Sequence, residues 1–215
     1  MQNSNAKKQD SKNYSIIAQE KTMKALFEIL PDSIDAAQCI LVCEISKESF
    51  SYVIKNEEQN LYVGIAVFQF EKGTDSRDYG NILQDAIHDQ KLLAEKFKKV
   101  CIIYSFAESV LIPFALYSSL ENENVLNLVH GDFHTNTSVL TDLVTESGVY
   151  NTYRVSGSIL NTFQSKFSDA INMHQHSALL KQPKPEGDKL KIIFYPGRIV
   201  LMLNKKGRTE LVNSF

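Results

Sequence analysis

Three apolar runs follow one another between residues 38 and 70 and set the pattern of this part of the chain. "QCILVCEIS" is continuously apolar, which is typical of a strand buried on both faces. In "SFSYVIKN" the residues Phe50, Tyr52 and Ile54 alternate with more polar positions, and "NLYVGIAVFQFEKG" alternates in the same way. The links between the runs are short and polar. The pattern therefore predicts an antiparallel three-stranded meander.

The next segment predicts a helix and then a chain of less regular elements. "KVCIIYSF" indicates a buried strand, and Pro113 confines the strand in "SVLIPFALY" to an edge or a bulge. Residues 118–148 are polar apart from "VLNLV" and predict a loop-rich insertion. The helix is predicted over 78–98, on an apolar stripe of Ile82, Leu83, Ala86, Ile87, Leu93, Ala94 and Phe97.

The C-terminal part repeats the alternation of elements. "VYNTYRVS" predicts a strand, "GSILNTFQSKFSDA" a helix and "INMHQHSALL" a further strand. "KQPKPEGD" has the prolines, glycine and charges of a linker, and residues 189–215 predict a second meander. An apolar sheet face is stable only when another element packs against it. The first domain or a partner would supply it, unless the chain is shorter than its relatives.

These elements divide the chain into three parts. Residues 1–13 are polar and predict a disordered leader, residues 14–182 a first domain, and residues 183–215 a second, incomplete repeat. Within the first domain, Tyr14–Leu30 fits either a short strand with a helical turn or one irregular helix, ended by Pro31. The order meander, helix, strand, insertion, strand, helix, strand predicts an α/β protein with a ribonuclease-H-like motif, a mixed sheet and flanking helices.

Three stretches carry a resemblance to a known superfamily. They are "ILVCEISKESFSYVI", "VLIPFALY" and "YRVSGSILNTFQSKF" with the following "HQHSALL". Over residues 38–215 the chain resembles the actin-like ATPase superfamily, most of all its bacterial pilus-assembly and cell-division branches. More narrowly, it is similar to an uncharacterised bacterial family of actin-like domains of unknown function. The resemblance implies the actin-like ATPase fold.

The resemblance also implies a nucleotide site between two hairpins. In each hairpin of the superfamily a strand ends in Asp, and a glycine turn presents backbone N–H groups to phosphate, because glycine reaches positive φ freely. Here the first Asp position falls on Glu44 and the glycine position on Ser46. Lys47 would attract a phosphate, whereas Glu48 would repel it.

The second hairpin, "YPGRIV", departs further from the superfamily. Lys191–Tyr195 has no carboxylate, and Pro196 removes a backbone N–H donor. The glycine pair that holds adenosine would lie beyond Phe215. We therefore expect a pseudoenzyme without cofactor or catalytic residues. It would act as a scaffold that binds a protein partner or self-associates, through the cleft between "ISKES" and "YPGRI" or through the second meander. The alternative is a degenerate ATP binder that holds ATP with Mg through Glu44, Ser46 and Lys47.

Charge and cysteine content narrow the remaining functions. A net charge of −2 gives no nucleic-acid or membrane signal, although residues 181–215 carry +5 and residues 31–180 carry −9. That basic segment would either dock onto an acidic surface or simply be solvated. Cys39, Cys43 and Cys101 lie in strand-like runs without a zinc or disulfide spacing, so we expect buried free thiols in a cytoplasmic protein. The longest apolar run is too short for a membrane span.

Two other chemistries are disfavoured by the residue pattern. A ribonuclease-H nuclease would need three or four converging carboxylates on two metal ions. Glu44 fits one of these positions, but Asp85, Asp89 and Glu95 are more typical of a solvated helix face. "HGDFH" and "HQH" contain four histidines, namely His130, His134, His174 and His176, without the wider ligand set of a zinc site.

Overall fold

The computed structural model describes residues 23–71, 79–132, 136–195 and 197–215. The leader predicted over 1–13 lies outside these ranges. The helices are α1 (Tyr79–Asp89), α2 (Asn122–His130), α3 (Gly157–Lys166) and α4 (Gln175–Leu180). The strands are β1 (Met23–Ile29), β2 (Cys39–Ser46), β3 (Ser49–Asn56), β4 (Leu61–Phe70), β5 (Lys99–Ser105), β6 (Ser109–Pro113), β7 (Thr137–Val144), β8 (Val149–Ser156), β9 (Ile171–His174), β10 (Lys189–Phe194), β11 (Ile199–Lys205) and β12 (Arg208–Ser214).

Six of the strands form a mixed sheet, the main sheet, in the order β1-β4-β3-β2-β5-β9. Strands β1 to β4 pair antiparallel, which confirms the predicted meander, and β2, β5 and β9 pair parallel. The sequence before Pro31 fitted either a short strand with a helical turn or an irregular helix. The described part of it, Met23–Ile29, is a strand that pairs with β4. Parallel pairing places the carboxyl ends of β2, β5 and β9 at one edge of the main sheet.

The main core lies between one face of the main sheet and the helices α1 and α3. Phe50 and Tyr52 on β3 face it as predicted, and the rings of Phe50 and Phe163 lie 6.2 Å apart. The two helices pack closely, since a Cβ on Gly80 would lie 2.5 Å from the Cβ of Ser158. This core fixes the position of the sheet edge at which the site lies.

The predicted helix over 78–98 is too long. The helix α1 ends at Asp89, Gln90 is extended, and a short 3-10 turn covers Lys91–Ala94. Ile87 and Leu93 are both buried, but they are six residues apart and do not share one helical face. The chain therefore has to leave the helix between them for both side chains to reach the core.

Residues 118–148 are not the loop-rich insertion that we predicted. They contain α2 and β7, and β7 pairs with β8 along its whole length in a side sheet of order β6-β8-β7. The helix α2 buries only Leu126 and leaves Leu128 and Val129 exposed. Pro113 ends β6 at the edge of this side sheet, as predicted.

The last three strands form a separate antiparallel sheet, the C-terminal sheet, in the order β10-β11-β12. Val200 and Met202 on its inner face pack against Leu179 of α4. The stretch "INMHQHSALL", predicted as one strand, is the short strand β9 followed by α4. The predicted domain division at residues 182 and 183 stays a prediction. Within the described ranges, no helix is both long and apolar enough to cross a bilayer.

Candidate functional site between the main and C-terminal sheets

The turn between β2 and β3 is closed by its own serine. Ser46 is only 1% exposed, and its Oγ accepts hydrogen bonds from the backbone N–H groups of Glu48 (3.1 Å) and Ser49 (3.0 Å). The carboxylate of Glu48 lies 3.3 Å from the same oxygen, and the side chain of Lys47 is exposed. A glycine turn would offer these N–H groups to phosphate. Here a side chain already satisfies them.

Glu44 lies two residues before Ser46 on β2. Three neutral donors bond to one oxygen of its side chain. Its Oε1 accepts from Ser105 Oγ at 2.5 Å, from the Tyr195 hydroxyl at 2.7 Å and from Gln175 Nε2 at 3.2 Å. Gln175 Nε2 also donates to the Tyr195 hydroxyl. These donors come from the end of β5, the start of α4 and the residue after β10. The cluster therefore joins the main sheet to the C-terminal sheet.

Burial and the charge of Glu44 both keep Tyr195 protonated. Burial, followed by the Glu44 charge, raises the pKa of the Tyr195 phenol above its usual range. A protonated phenol donates to the carboxylate, which stabilises the charge without a cation. The same segment approaches the β2–β3 turn, because a Cβ on Gly197 would lie 3.3 Å from Glu48 Oε1. Pro196 lies outside the described residues.

The two histidines of "HQH" belong to a buried polar network next to this cluster. His174 Nδ1 accepts from the backbone N–H of His176 at 3.1 Å, so its Nε2 carries the proton and donates to the Phe106 carbonyl at 2.9 Å. The His174 backbone N–H donates to Asp142 at 2.7 Å. His176 contacts Ser109 Oγ and Ser214 Oγ through its two ring nitrogens. Each ring nitrogen of both histidines thus has a protein partner.

The other histidines and helix acids that the sequence singled out lie apart from this network. His130 ends α2, rather than lying in a loop, and its Nε2 is 3.2 Å from the Ser109 carbonyl oxygen. His134 lies outside the described residues. Asp85, Asp89 and Glu95 are exposed. In the four described ranges, no three His, Cys, Asp or Glu residues are arranged to hold a metal ion. Cys39, Cys43 and Cys101 are free, and the first two are buried.

Sequence reasoning singled out Glu44, Ser46 and Lys47, and their role stays a prediction; it did not single out the residues that bond Glu44. Ser105, Gln175 and Tyr195 each stand at or just beyond the end of a strand, and this position is the signal that could have identified them. It also missed Arg198, whose guanidinium carbon lies 4.5 Å from the centroid of the Tyr195 ring. The structure therefore places Ser105, Gln175 and Tyr195 around Glu44, whereas the Lys47 side chain is exposed.

Comparison with known proteins agrees with this architecture. A sequence family described as "Protein of unknown function (DUF3822)" matches residues 31–215. A comparison with curated proteins found no match. A solved protein of Bacteroides thetaiotaomicron VPI-5482, with an actin-like ATPase fold and unknown function, aligns with a TM-score of 0.73 at 18% identity. The alignment covers 85% of this chain and 73% of that chain. The predicted actin-like ATPase fold is thereby confirmed.

Two further solved structures align less closely. The Ppx/GppA family member of Aquifex aeolicus has a TM-score of 0.43 at 12% identity, over 83% of this chain and 51% of that chain. A PilM–PilN type IV pilus biogenesis complex has a TM-score of 0.45 at 11% identity, over 82% of this chain and 61% of that chain. This chain thus spans about half to three fifths of those two chains.

Replacement of Tyr195 by Phe tests the contact between the two sheets. We expect Tyr195→Phe to lower the free energy of unfolding by about 1.5–3 kcal/mol, because the lost hydrogen bond goes to a charged acceptor. The matched control is Tyr104→Phe, whose hydroxyl donates to the neutral Asn172 amide at 2.9 Å; we expect a loss of about 1 kcal/mol. Urea unfolding measures both. An equal or smaller loss in Tyr195→Phe would contradict the role given to Glu44.

The buried histidines predict a loss of stability in mild acid. Burial, assisted by the charge of His176, lowers the pKa of His174 to about 3, and burial with the charge of Arg198 lowers that of His176 to about 4. Below pH 6.5 the unfolded chain therefore binds protons that the folded chain does not. The free energy of unfolding should fall by about 1.4 kcal/mol per pH unit for each histidine between pH 6 and 4.

The measurement is urea unfolding at a series of pH values, with His176→Asn beside the unchanged protein. The variant should halve the slope. Burial raises the pKa of Asp142, which opposes the histidine effect below that pKa. A stability that is flat from pH 7 to 5 would show that the two imidazoles are not held neutral.

Proposed function

We propose that this chain, which belongs to the family described as Protein of unknown function (DUF3822), is a non-catalytic scaffold that binds a protein partner or associates with itself. The observation that carries the proposal is the outer face of the C-terminal sheet, called the open face below. The closed β2–β3 turn supports the non-catalytic part. A cytoplasmic location belongs to the proposal and is supported by the three free cysteines.

The open face is apolar at nearly every position of three neighbouring strands. In an antiparallel sheet, directly paired residues point to the same side. The pairs Leu190 with Leu203, Ile192 with Leu201 and Phe194 with Ile199 therefore lie together on β10 and β11. On β12 the neighbours of these β11 residues are Leu211, Asn213 and Phe215. Eight of these nine side chains are apolar, and Asn213 is the exception.

The exposure of these side chains separates the open face from the inner one. Phe194 is 77% exposed and Leu190 58%, whereas Val200 on the inner face is fully buried. Contiguous exposed apolar patches of more than a few hundred Å² are rare on monomers and mark interaction surfaces. From these exposures, and about 150–200 Å² for each large side chain, the open face presents roughly 600 Å². A partner covering it would form an interface near the lower end of the standard size.

The β2–β3 turn supports a scaffold rather than an ATPase. Its N–H groups are bonded to Ser46, the Glu48 carboxylate stands beside them, and Glu44 accepts from three side chains. A phosphate placed at this turn would have to displace Ser46 Oγ and would meet the negative charge of Glu48. Neither change is favourable without a compensating cation.

The second candidate function is nucleotide binding with Mg. Glu44 stands where the superfamily places its first Asp, and Lys47 beside it is exposed and free to turn toward a phosphate. In that case Glu44 would leave Tyr195 to orient the metal ion. Nucleotide binding would require the Glu44 carboxylate, whereas the scaffold function would not.

A single charge introduced on the open face is expected to weaken self-association. In size-exclusion chromatography with light scattering, we expect the chain to associate at high concentration, and Phe194→Asp to shift it to monomer. Tyr62→Asp is the matched control, because Tyr62 is an equally exposed aromatic residue (75%) of β4 in the main sheet. A chain that stays monomeric, and gains neither solubility nor stability from Phe194→Asp, would contradict a role for the open face.

The two candidate functions differ in their response to nucleotide. With ATP and Mg²⁺ at millimolar concentration we expect no change in the melting temperature. A bound ligand at a hundredfold excess over its Kd would stabilise the fold by about 2.7 kcal/mol and raise Tm by several degrees. A rise that disappears in Glu44→Ala and persists in Asp85→Ala would favour the nucleotide binder and overturn the scaffold proposal.

A further inference from the structure

Arg198 carries a buried positive charge that no described residue neutralises. All three of its guanidinium nitrogens are inaccessible to solvent and have no hydrogen-bond partner. Its guanidinium carbon lies 4.5 Å from the centroid of the Tyr195 ring. Among the described residues, no carboxylate comes within ion-pair distance of it.

Most polar groups near Arg198 are bonded to other partners. The charge of Arg198 contributes, after burial, to the lowered pKa of both His174 and His176. The ring nitrogens of these histidines are already bonded to Phe106, Ser109, Ser214 and the backbone of the segment itself. The Tyr195 hydroxyl is engaged with Glu44. One acceptor in this cluster is unbonded, because Gln175, whose Nε2 donates to the Tyr195 hydroxyl, has a buried Oε1 without a hydrogen-bond partner and without a bond to Arg198.

Arginine cannot relieve this situation by losing its proton, because a guanidinium is not deprotonated in proteins. Burying an unpaired cation is costly, and a cation–π contact offsets only part of that cost. A charge of this type persists in a native protein when something else pairs with it.

Arg154 shows how the same chain treats a buried arginine that is purely structural. One of its nitrogens, Nη1, donates to the Glu108 carboxylate at 3.0 Å. Its Nη2 donates to the Asn127 side chain and to the Gly131 carbonyl at 2.9 Å. The chain supplies a carboxylate and two further acceptors to Arg154 and none of these to Arg198.

We infer that Arg198 is the binding residue for a small oxyanion, a phosphate or carboxylate group, at the junction of the C-terminal sheet and α4. The guanidinium presents a planar set of donors that matches two oxygens of either group. The Tyr195 ring holds the plane of the guanidinium from one side. This site uses a side chain of the C-terminal sheet, and it is distinct from the N–H groups of the β2–β3 turn, which Ser46 occupies.

The inference goes beyond the scaffold function, since it concerns a ligand rather than a partner protein. Its competitor is an ion pair within the chain. Glu48 lies close to Gly197, next to Arg198 in sequence, and a rotation of its side chain could bring the carboxylate toward the guanidinium. If that pair forms in solution, the donors are consumed and no anion binds.

The test measures the melting temperature of the full chain in sodium phosphate, sodium acetate and sodium chloride at equal ionic strength and low millimolar anion. The variants are Arg198→Gln and Arg198→Lys, with Arg208→Gln as the matched control, because Arg208 is an exposed arginine of the same sheet. Glu48→Gln probes the ion pair. Titration calorimetry of the unchanged chain with inorganic phosphate and with acetate gives the Kd independently of the variants' folding.

We expect phosphate or acetate to raise Tm by several degrees above chloride at a hundredfold excess over Kd, in the unchanged chain and in Arg208→Gln. The shift should vanish in Arg198→Gln and shrink in Arg198→Lys, which keeps the charge but loses the planar fork. A response to phosphate alone or to acetate alone identifies the group and supports the inference.

Four results would overturn it. The first is no anion-specific shift and no calorimetric saturation. The second is a shift that survives in Arg198→Gln, as general salt exclusion from the surface would produce. The third is a response to ATP with Mg²⁺ but to neither small anion, which would favour the nucleotide binder. The fourth is anion binding that appears only in Glu48→Gln, which would show that Glu48 pairs with Arg198.

Discussion

The hydroxyl of Tyr195 donates to Glu44 across the boundary between the main sheet and the C-terminal sheet. The apolar contact beside it is small, with Leu179, Val200 and Met202 as its buried members. A charge-assisted hydrogen bond is about twice as strong as a neutral one, so this contact weighs heavily in the attachment of the C-terminal sheet. Ser105 and Gln175 add two further donors to the same oxygen of Glu44.

The same region explains why a fold shared with ATPases can keep its shape without their chemistry. Ser46 satisfies inside the turn the N–H groups that a glycine turn would leave for phosphate, and Glu44 is bonded by residues from three other elements. These contacts stabilise the edge of the main sheet in the absence of any ligand. A phosphate-binding edge would instead leave its donors unsatisfied until a ligand arrives.

Much of the fold was predictable because its signals are local. The alternation in β3 and β4 and the short polar links predicted the meander, and three longer stretches carried the resemblance to the actin-like fold, which the Bacteroides structure confirms. The side sheet was missed because residues 118–148 are mostly polar and their one apolar patch is short. The bonds of Glu44 could not be predicted, since Ser105, Gln175 and Tyr195 lie 61, 131 and 151 residues away in sequence.

The parallel pairing of β5 with β9 has a consequence for how the chain assembles. Cys101 on β5 pairs with Ile171 on β9. The edge of β5 that binds β9 therefore stays unpaired until the ribosome has synthesised a further seventy residues. At about 5–20 residues per second, the wait lasts roughly 4–14 s. During that interval a nascent chain exposes an unpaired strand edge beside the apolar β2, which is the kind of surface that chaperones bind and that neighbouring chains can add to.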